Sequence, residues 1–390
     1  MPTFNAANAS ELLSALASAR GGDEIVLTGD DYGDVWLRDA EFSSEVTIRS
    51  ADARNPAEFN SLKIWYSSNL TIDGVRVDFT DAASTRDHNS STEIFYSSDI
   101  AILNSEIVGS AQGGGSGRSE ARGMTVRESD GILLRGNEIA EFRNGIVGVS
   151  AHDMEILSNE MHDLRTTAIR GSDFQDLTID GNHIHSSNPN DLGGDGGDHA
   201  DFIHPWTDDD QTAPSRNITI TNNFLDKGDG VSIIGIYLDD DRNALGFENV
   251  VIEGNVIWTG NGQGIRLEHV VGARVSNNAL LQPPGDDERT PLIHVRQNSG
   301  DVLIEDNILN GVVVDSSSSV VERGSVGLQW EDRFAADHYV NALIDPLQTL
   351  PDADALRATP GGIVEARDVG PDMMRLDRSP SGLDGYIEAE

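Results

Sequence analysis

Residues 132–139 read ILLRGNEI: an apolar alternation, a Gly136-Asn137 turn signal, then a second apolar start. The pattern returns as MEILSNEM (154–161), LTIDGNHI (177–184), ITITNNFL (218–225), VVIEGNVI (250–257), ARVSNNAL (273–280) and VLIEDNIL (302–309). The aligned asparagines are Asn137, Asn159, Asn182, Asn223, Asn255, Asn278 and Asn307, separated by 22, 23, 41, 32, 23 and 29 residues. Weaker copies lie upstream at LTIDGVRV (70–77) and IAILNSEI (100–107). A base period of about 22–23 residues with insertions marks stacked repeats, whose units bury their apolar sides only against neighbours.

Each unit carries another short strand, usually after a glycine: GMTVRE, GIVGVS, AIRGS, DFIHPW, GIYLDD, GIRLEH, LIHVRQ. Ile and Val dominate and no 3.6-residue period appears, so the units are strands rather than leucine-rich repeats. The expected fold is all-β: a single-stranded right-handed parallel β-helix of about ten coils with an N-terminal capping α-helix. That helix is placed at 8–20, NASELLSALASAR, with Leu12, Leu13 and Leu16 on one face, Asn8 or Ser10 as cap and Gly21-Gly22 as stop. The repeated asparagines suit the left-handed position of a tight turn, and their side chains suit a hydrogen-bonded ladder. Residues 1–330 are expected to form the β-helix catalytic domain, and 331–390 a C-terminal cap and linker-like tail.

The formal charge is −39, from 27 basic and 66 acidic residues. That balance excludes nucleic acid and anionic membrane as partners. There is no cysteine, hence no disulfide framework or thiolate metal site. No run of 18 apolar residues exists. The start, MPTFNAANASELL, lacks a basic region and an apolar core, so export without a cleavable N-terminal signal, by way of a C-terminal one, to an extracellular location is the expectation.

Over about residues 9–320 the repeat resembles the pectin-lyase-like superfamily of right-handed β-helix proteins. That group includes polysaccharide lyases, mannuronan C-5 epimerases, glycoside hydrolases and phage depolymerases. The resemblance implies a carbohydrate substrate. The Asp-Pro-His motif of alginate epimerases does not occur here; the nearest stretch is DHADFIHPW, 198–206.

Alternation in the post-glycine strands assigns an outward row. It contains Arg127, Arg170, Phe202, His204, Tyr237, Asp239, Arg266, Glu268, His294 and Arg296. Such a ladder, with coils about 4.8 Å apart, matches the repeat of an extended sugar chain, and arginines offer bidentate partners to carboxylates. The 41-residue interval between Asn182 and Asn223 places an insertion beside DFIHPW. A polysaccharide lyase cleaving an anionic, uronic-acid polymer such as alginate by β-elimination is therefore expected. Arg170 and Arg266 would neutralise the carboxylate, His204 would be the base with His199 second, and Tyr237 the acid. Arg127, Phe202, Trp206, Glu268, His294 and Arg296 would bind substrate. Asp198, Asp201, Asp208 and Asp239 form oxygen-rich loops suited to Ca²⁺, and no organic cofactor is expected. His183 and His185 are assigned to structure. The alternatives are a C-5 epimerase, then a glycoside hydrolase using Asp201 with Asp239 or Asp239 with Glu268, then a non-catalytic binding solenoid with Phe202, Trp206 and Tyr237 as its aromatic platforms.

Overall fold

The computed structural model describes residues 2–80, 89–109, 120–190, 198–240, 245–283 and 289–327, and the backbone of strands Leu376–Arg378 and Gly385–Ile387. That last pair is antiparallel. Apart from it, the expected cap and tail over 331–390 lie outside the described residues.

The chain forms two compact units, residues 1–177 with 188–199 and residues 178–187 with 200–390. Both are parallel coils. A representative turn of the first unit is Ser90–Phe95, Ser98–Leu103 and Glu106–Gly109. Each coil hydrogen-bonds to the next through in-register parallel strands. In the first unit the leading strands are Asp34–Arg38, Ser61–Trp65, Ser90–Phe95, Arg122–Arg135, Asn144–Leu157 and Ile169–Ser172. In the second they are Asp201–Trp206, Ile234–Leu238, Gln263–Glu268, Leu292–Arg296 and Val312–Val314.

Parallel register puts like residues above like. Ile100, Ile132 and Met154 stack in the first unit, and Ile236, Ile265 and Ile293 in the second, all buried. Each such side chain removed from water contributes roughly 1.5–3 kcal/mol.

The repeated asparagines are fully buried and form the expected ladder. In the first unit Asn137 donates through Nδ2 to Asn159 Oδ1 at 3.0 Å. In the second, Asn182, Asn223, Asn255, Asn278 and Asn307 are linked Nδ2 to Oδ1 at 2.9–3.0 Å. The left-handed residue, however, is the one before each asparagine: Gly136, Ser158, Gly181, Asn222, Gly254, Asn277 and Asp306. The turn needs positive φ one residue early, so that the next side chain swings inward to the ladder. This corrects the assignment of left-handed backbone to the ladder asparagines themselves.

A second corner recurs along the first unit. It has two left-handed residues three apart: Tyr66 and Asn69, Tyr96 and Asp99, Glu128 and Gly131, Ser150 and Asp153. Between them Ser67, Ser97 and Ser129 are buried; the Ser67 and Ser97 backbone N–H groups donate to Ser97 Oγ and Ser129 Oγ at 3.2 and 3.1 Å.

The N-terminal helix is Ala9–Ser18. Asn8 caps it, its side chain accepting from Glu11 N at 3.0 Å while Glu11 reaches back to Ala7 N at 2.9 Å. Ala19 is already extended, so the helix stops ahead of Gly21. The buried stripe is Leu12, Ala15 and Leu16; Leu13 is 43% exposed, because it lies one residue, about 100°, round from Leu12.

Candidate active site

Strand Asp201–Trp206 departs from simple alternation. Phe202 and Ile203 are both fully buried. The register of Asp201 with Ile234 and Ile203 with Ile236 sets Phe202 opposite Gly235, which has no side chain to compete for the interior. Phe202 is therefore core and not part of an outward platform. Asp201, three residues before His204, turns to the same side: its Oδ2 lies 3.1 Å from His204 Nδ1.

His204 is nearly buried and its other nitrogen, Nε2, lies 3.4 Å from Asp239 Oδ2. Asp239 is held at the end of strand Ile234–Leu238 by its backbone: it donates to Pro205 O and accepts from Thr207 N, each at 3.0 Å. Burial pushes the Asp239 carboxyl up. The His204 hydrogen bond and charge, then the Tyr237 hydroxyl and Arg266, outweigh that and hold it below the usual carboxylate range. Two carboxylates against both ring nitrogens favour the protonated imidazole. His204 thus lies between two carboxylates, and Asp239, held below the usual carboxylate range and 18% exposed at its side chain, is a further candidate base beside it.

Tyr237 stacks on His204 with centroids 5.0 Å apart and planes 2° apart. Its hydroxyl donates to Glu268 Oε2 at 3.2 Å. Arg266 lies over the other side of the Tyr237 ring, 4.7 Å from its centroid. Arg266 Nε donates to Glu268 Oε1 at 2.7 Å, its Nη2 also contacts Glu268, and its Nη1 donates to Gln263 at 2.7 Å. Glu268 is fully buried. Arg266 is thus matched by an internal counterion, so neither it as carboxylate neutraliser nor Glu268 as substrate ligand fits the expected role.

One rung further, His294 Nε2 donates to Gly262 O at 3.0 Å. That fixes the Nε2–H tautomer and leaves Nδ1 to accept from Arg296 Nη2 at 3.4 Å. Burial, then the Arg296 and Arg266 charges, push the His294 imidazole below its usual range. Among the described residues Arg296 has no carboxylate at ion-pair distance, and its Nε is buried without a hydrogen bond. Trp206, half-buried, lies 5.9 Å from His204 ring to ring.

Of the remaining expected site residues, Arg127, Arg170, Asp198 and His199 belong to the first unit and Asp208 to the second. Arg127 lies 5.8 Å from the Phe95 centroid, and its Nε has no hydrogen bond. Arg170 follows Val147 in register and is half-exposed; His199 is exposed. Asp198 is gripped by Arg165, Nε to Oδ2 at 2.8 Å and Nη2 to Oδ1 at 2.9 Å, and accepts from Asn190 N at 2.8 Å. With Asp198 held by Arg165 and Asp201 and Asp239 held by His204, these carboxylates fit ion pairs better than a Ca²⁺ cage. Asp208 sits half-buried in the turn after the strand, where Gln211 N donates to its carbonyl at 3.1 Å. His183 Nε2 lies 3.0 Å from Asp226 Oδ2, and the ring stacks on His185 at 4.3 Å.

Three exposed aromatics were not picked out from sequence: Trp36, Tyr66 and Tyr96. The signal for the two tyrosines is the recurrence of WYSS at 65–68 and FYSS at 95–98.

Residues 43–197 match the family model described as a right handed beta helix region. The fold is a right-handed parallel β-helix. No curated protein matches the chain in sequence. Among solved structures it is similar to the Dettilon tailspike protein gp208, with TM-score 0.58 and 10% identity over 80% of this chain and 64% of the tailspike, so it spans under two thirds of that protein. A hyperthermoactive exopolygalacturonase from Thermotoga maritima gives TM-score 0.51 at 12% identity, covering 83% of this chain and 91% of that one. A DFA-IIIase from Arthrobacter chlorophenolicus A6 gives 0.50 at 13% identity, covering 81% and 92%.

Proposed function

We propose that the chain is a polysaccharide lyase that cleaves an anionic, uronic-acid-containing polymer at the rungs of His204, Tyr237 and Arg266. The observation that carries this is Asp239: a partly exposed carboxylate held below the usual carboxylate range beside the His204 ring, in a row that also presents Arg296 without a carboxylate partner. Asp239 removes the C5 proton of a uronate. The electron pair left on C5 forms the C4=C5 double bond as the C4–O bond breaks. The departing oxygen takes a proton from His204, and Asp239 returns its proton to that ring. Arg296 binds a uronate carboxylate bidentately, an arrangement arginine favours. Asp201 and Glu268 keep His204 and Arg266 charged and in place.

Hydrolysis by paired carboxylates needs one of them to be a protonated acid. Asp201 faces His204 and Glu268 faces Arg266, which makes both of them acceptors. That favours elimination, although the likeness to an exopolygalacturonase keeps hydrolysis as the second reading.

The test is ultraviolet absorbance of the unsaturated uronate on alginate, polygalacturonate, glucuronan, hyaluronan and chondroitin. Absorbance rising on one of them, and falling about 10²–10⁴-fold with Asp239→Asn, is the expected result. New reducing ends without unsaturation would replace elimination by hydrolysis. Solvent deuterium at C5 of an uncleaved polymer would replace it by epimerisation.

A further inference from the structure

The first unit carries a groove of about 580 Å³ along its second corner. Its floor is one residue per rung in register: Glu41, Ser68, Ser98, Asp130 and His152. Its wall is Tyr66, Tyr96, Glu128 and Ser150, the first left-handed residue of each corner.

The backbone makes the two tyrosines conspicuous. Every corner needs positive φ at this position, and asparagine, aspartate or glycine adopt it with least strain. Asp173 fills the same position one rung after Ser150. Tyr66 (φ 52°) and Tyr96 (φ 55°) put bulky side chains there on consecutive rungs. Burial does not explain the choice, because the rings are 40% and 41% exposed. They stack on each other with centroids 5.0 Å apart and planes 7° apart, and the Arg38 guanidinium lies 5.4 Å from the Tyr66 centroid. Strain kept at an exposed, ordered aromatic pair beside a groove marks a ligand site.

The chemistry of the lining selects the ligand. Glu41, Glu128 and Asp130 face the groove, with His152 the one lining group that can become cationic. An anionic chain would be repelled. Serine hydroxyls, carboxylates and tyrosine hydroxyls suit the hydroxyls of neutral sugars, and aromatic surface suits their C–H faces. Five rungs about 4.8 Å apart span close to 19 Å, the length of about four sugar residues in an extended chain.

We propose that this groove is a binding site for a neutral hexose oligosaccharide, separate in chemistry from the acidic-polymer site of the second unit. The experiment is calorimetric titration of the full chain with cellohexaose, laminarihexaose and mannohexaose, and with hexaguluronate for contrast. At least one neutral hexasaccharide should bind, and hexaguluronate should bind this groove at least tenfold more weakly. Tyr66→Asn with Tyr96→Asn should weaken neutral binding at least tenfold while the melting temperature holds or rises, because asparagine relieves the left-handed strain. Asp130→Ala, at an exposed position, should weaken it without touching the aromatic pair. Asp239→Asn should leave it unchanged, which keeps this test independent of the cleavage assay. No binding of any neutral hexasaccharide, or binding insensitive to both sets of variants, would overturn the proposal. A drop in melting temperature of the tyrosine double variant with unchanged affinity would assign the tyrosines to structure and overturn it equally.

Discussion

Asn255→Ala tests whether the asparagine ladder stabilises the second unit as its geometry implies. Asn255 Nδ2 donates to Ile220 O at 2.8 Å and to Asn278 Oδ1 at 2.9 Å. Its Oδ1 accepts from Asn223 N at 3.0 Å and Asn223 Nδ2 at 2.9 Å. Its Nδ2 also donates to Glu253 O at 3.2 Å, and alanine removes all five. Two of the partners keep another: Asn278 Oδ1 still accepts from Asn255 N at 3.0 Å, and Asn223 Nδ2 still donates to Ile179 O at 2.9 Å. The Asn223 N–H and the Ile220 carbonyl lose their side-chain partner, and both residues are fully buried. Each group stranded in this way costs about 1–3 kcal/mol, so a loss of about 4 kcal/mol is expected, a large share of a typical 5–15 kcal/mol total. Urea unfolding followed by circular dichroism measures it. Hydrogen exchange over residues 218–225 localises it, since a stacked array can open in segments. The control is Asn249→Gly, which removes an exposed 3.0 Å bond to Asn217 at a left-handed position and should change stability by under about 0.5 kcal/mol. A loss below about 1 kcal/mol for Asn255→Ala, equal to the control, would refute the ladder as a source of stability.

Other outcomes are expected on the same physical grounds. His162 is raised from 6.5 to about 9, mainly by the Glu138 hydrogen bond against opposing burial, with Asp163 adding to it. A raised histidine stabilises fully below its unfolded pKa and loses that contribution as pH climbs through the folded one, so the melting temperature should fall between about pH 6.5 and 9, and His162→Gln should flatten that segment of the profile. Arg266→Met should cost about 3–5 kcal/mol by leaving the buried Glu268 without its ion partner, while Arg266→Met with Glu268→Leu should recover most of it; equal losses in the single and double variants, measured by urea unfolding, would contradict the buried pair. With a formal charge of −39, raising sodium chloride from low to moderate concentration should raise the melting temperature by screening self-repulsion, and a flat response would show the charges to be locally matched.

Most of the architecture was legible because the repeat period and the period-2 alternation act over many coils at once. A slip in any single coil would break the stack, so the pattern is strongly imposed. The ladder asparagines could be named from spacing alone, but not which residue carries positive φ, since the Gly-Asn and Asn-Asn pairs offer two candidates side by side. The candidate site was legible only as a row. Alternation put His204, Tyr237, Arg266, His294 and Arg296 together correctly, and it failed at Phe202 because the space opposite Gly235 takes an aromatic ring inward. Roles were less visible than positions. Whether Arg266 faces substrate or Glu268, and whether His204 gives or takes a proton, depends on contacts of about 3 Å between rungs, and spacing does not encode these. The tyrosine pair was missed for a different reason: WYSS and FYSS look like loop sequence, and their meaning appears only when the corner's backbone angles are known.

The ladder also separates the length of a coil from its rise. In the second unit the chain between successive ladder asparagines runs 41, 32, 23 and 29 residues, yet every joint closes at 2.9–3.0 Å. Whatever is spliced between two joints leaves the geometry of the joints unchanged. The segment from one buried asparagine to the next is therefore a cassette, and a loop that shapes recognition can be exchanged whole while the rungs above and below keep their register.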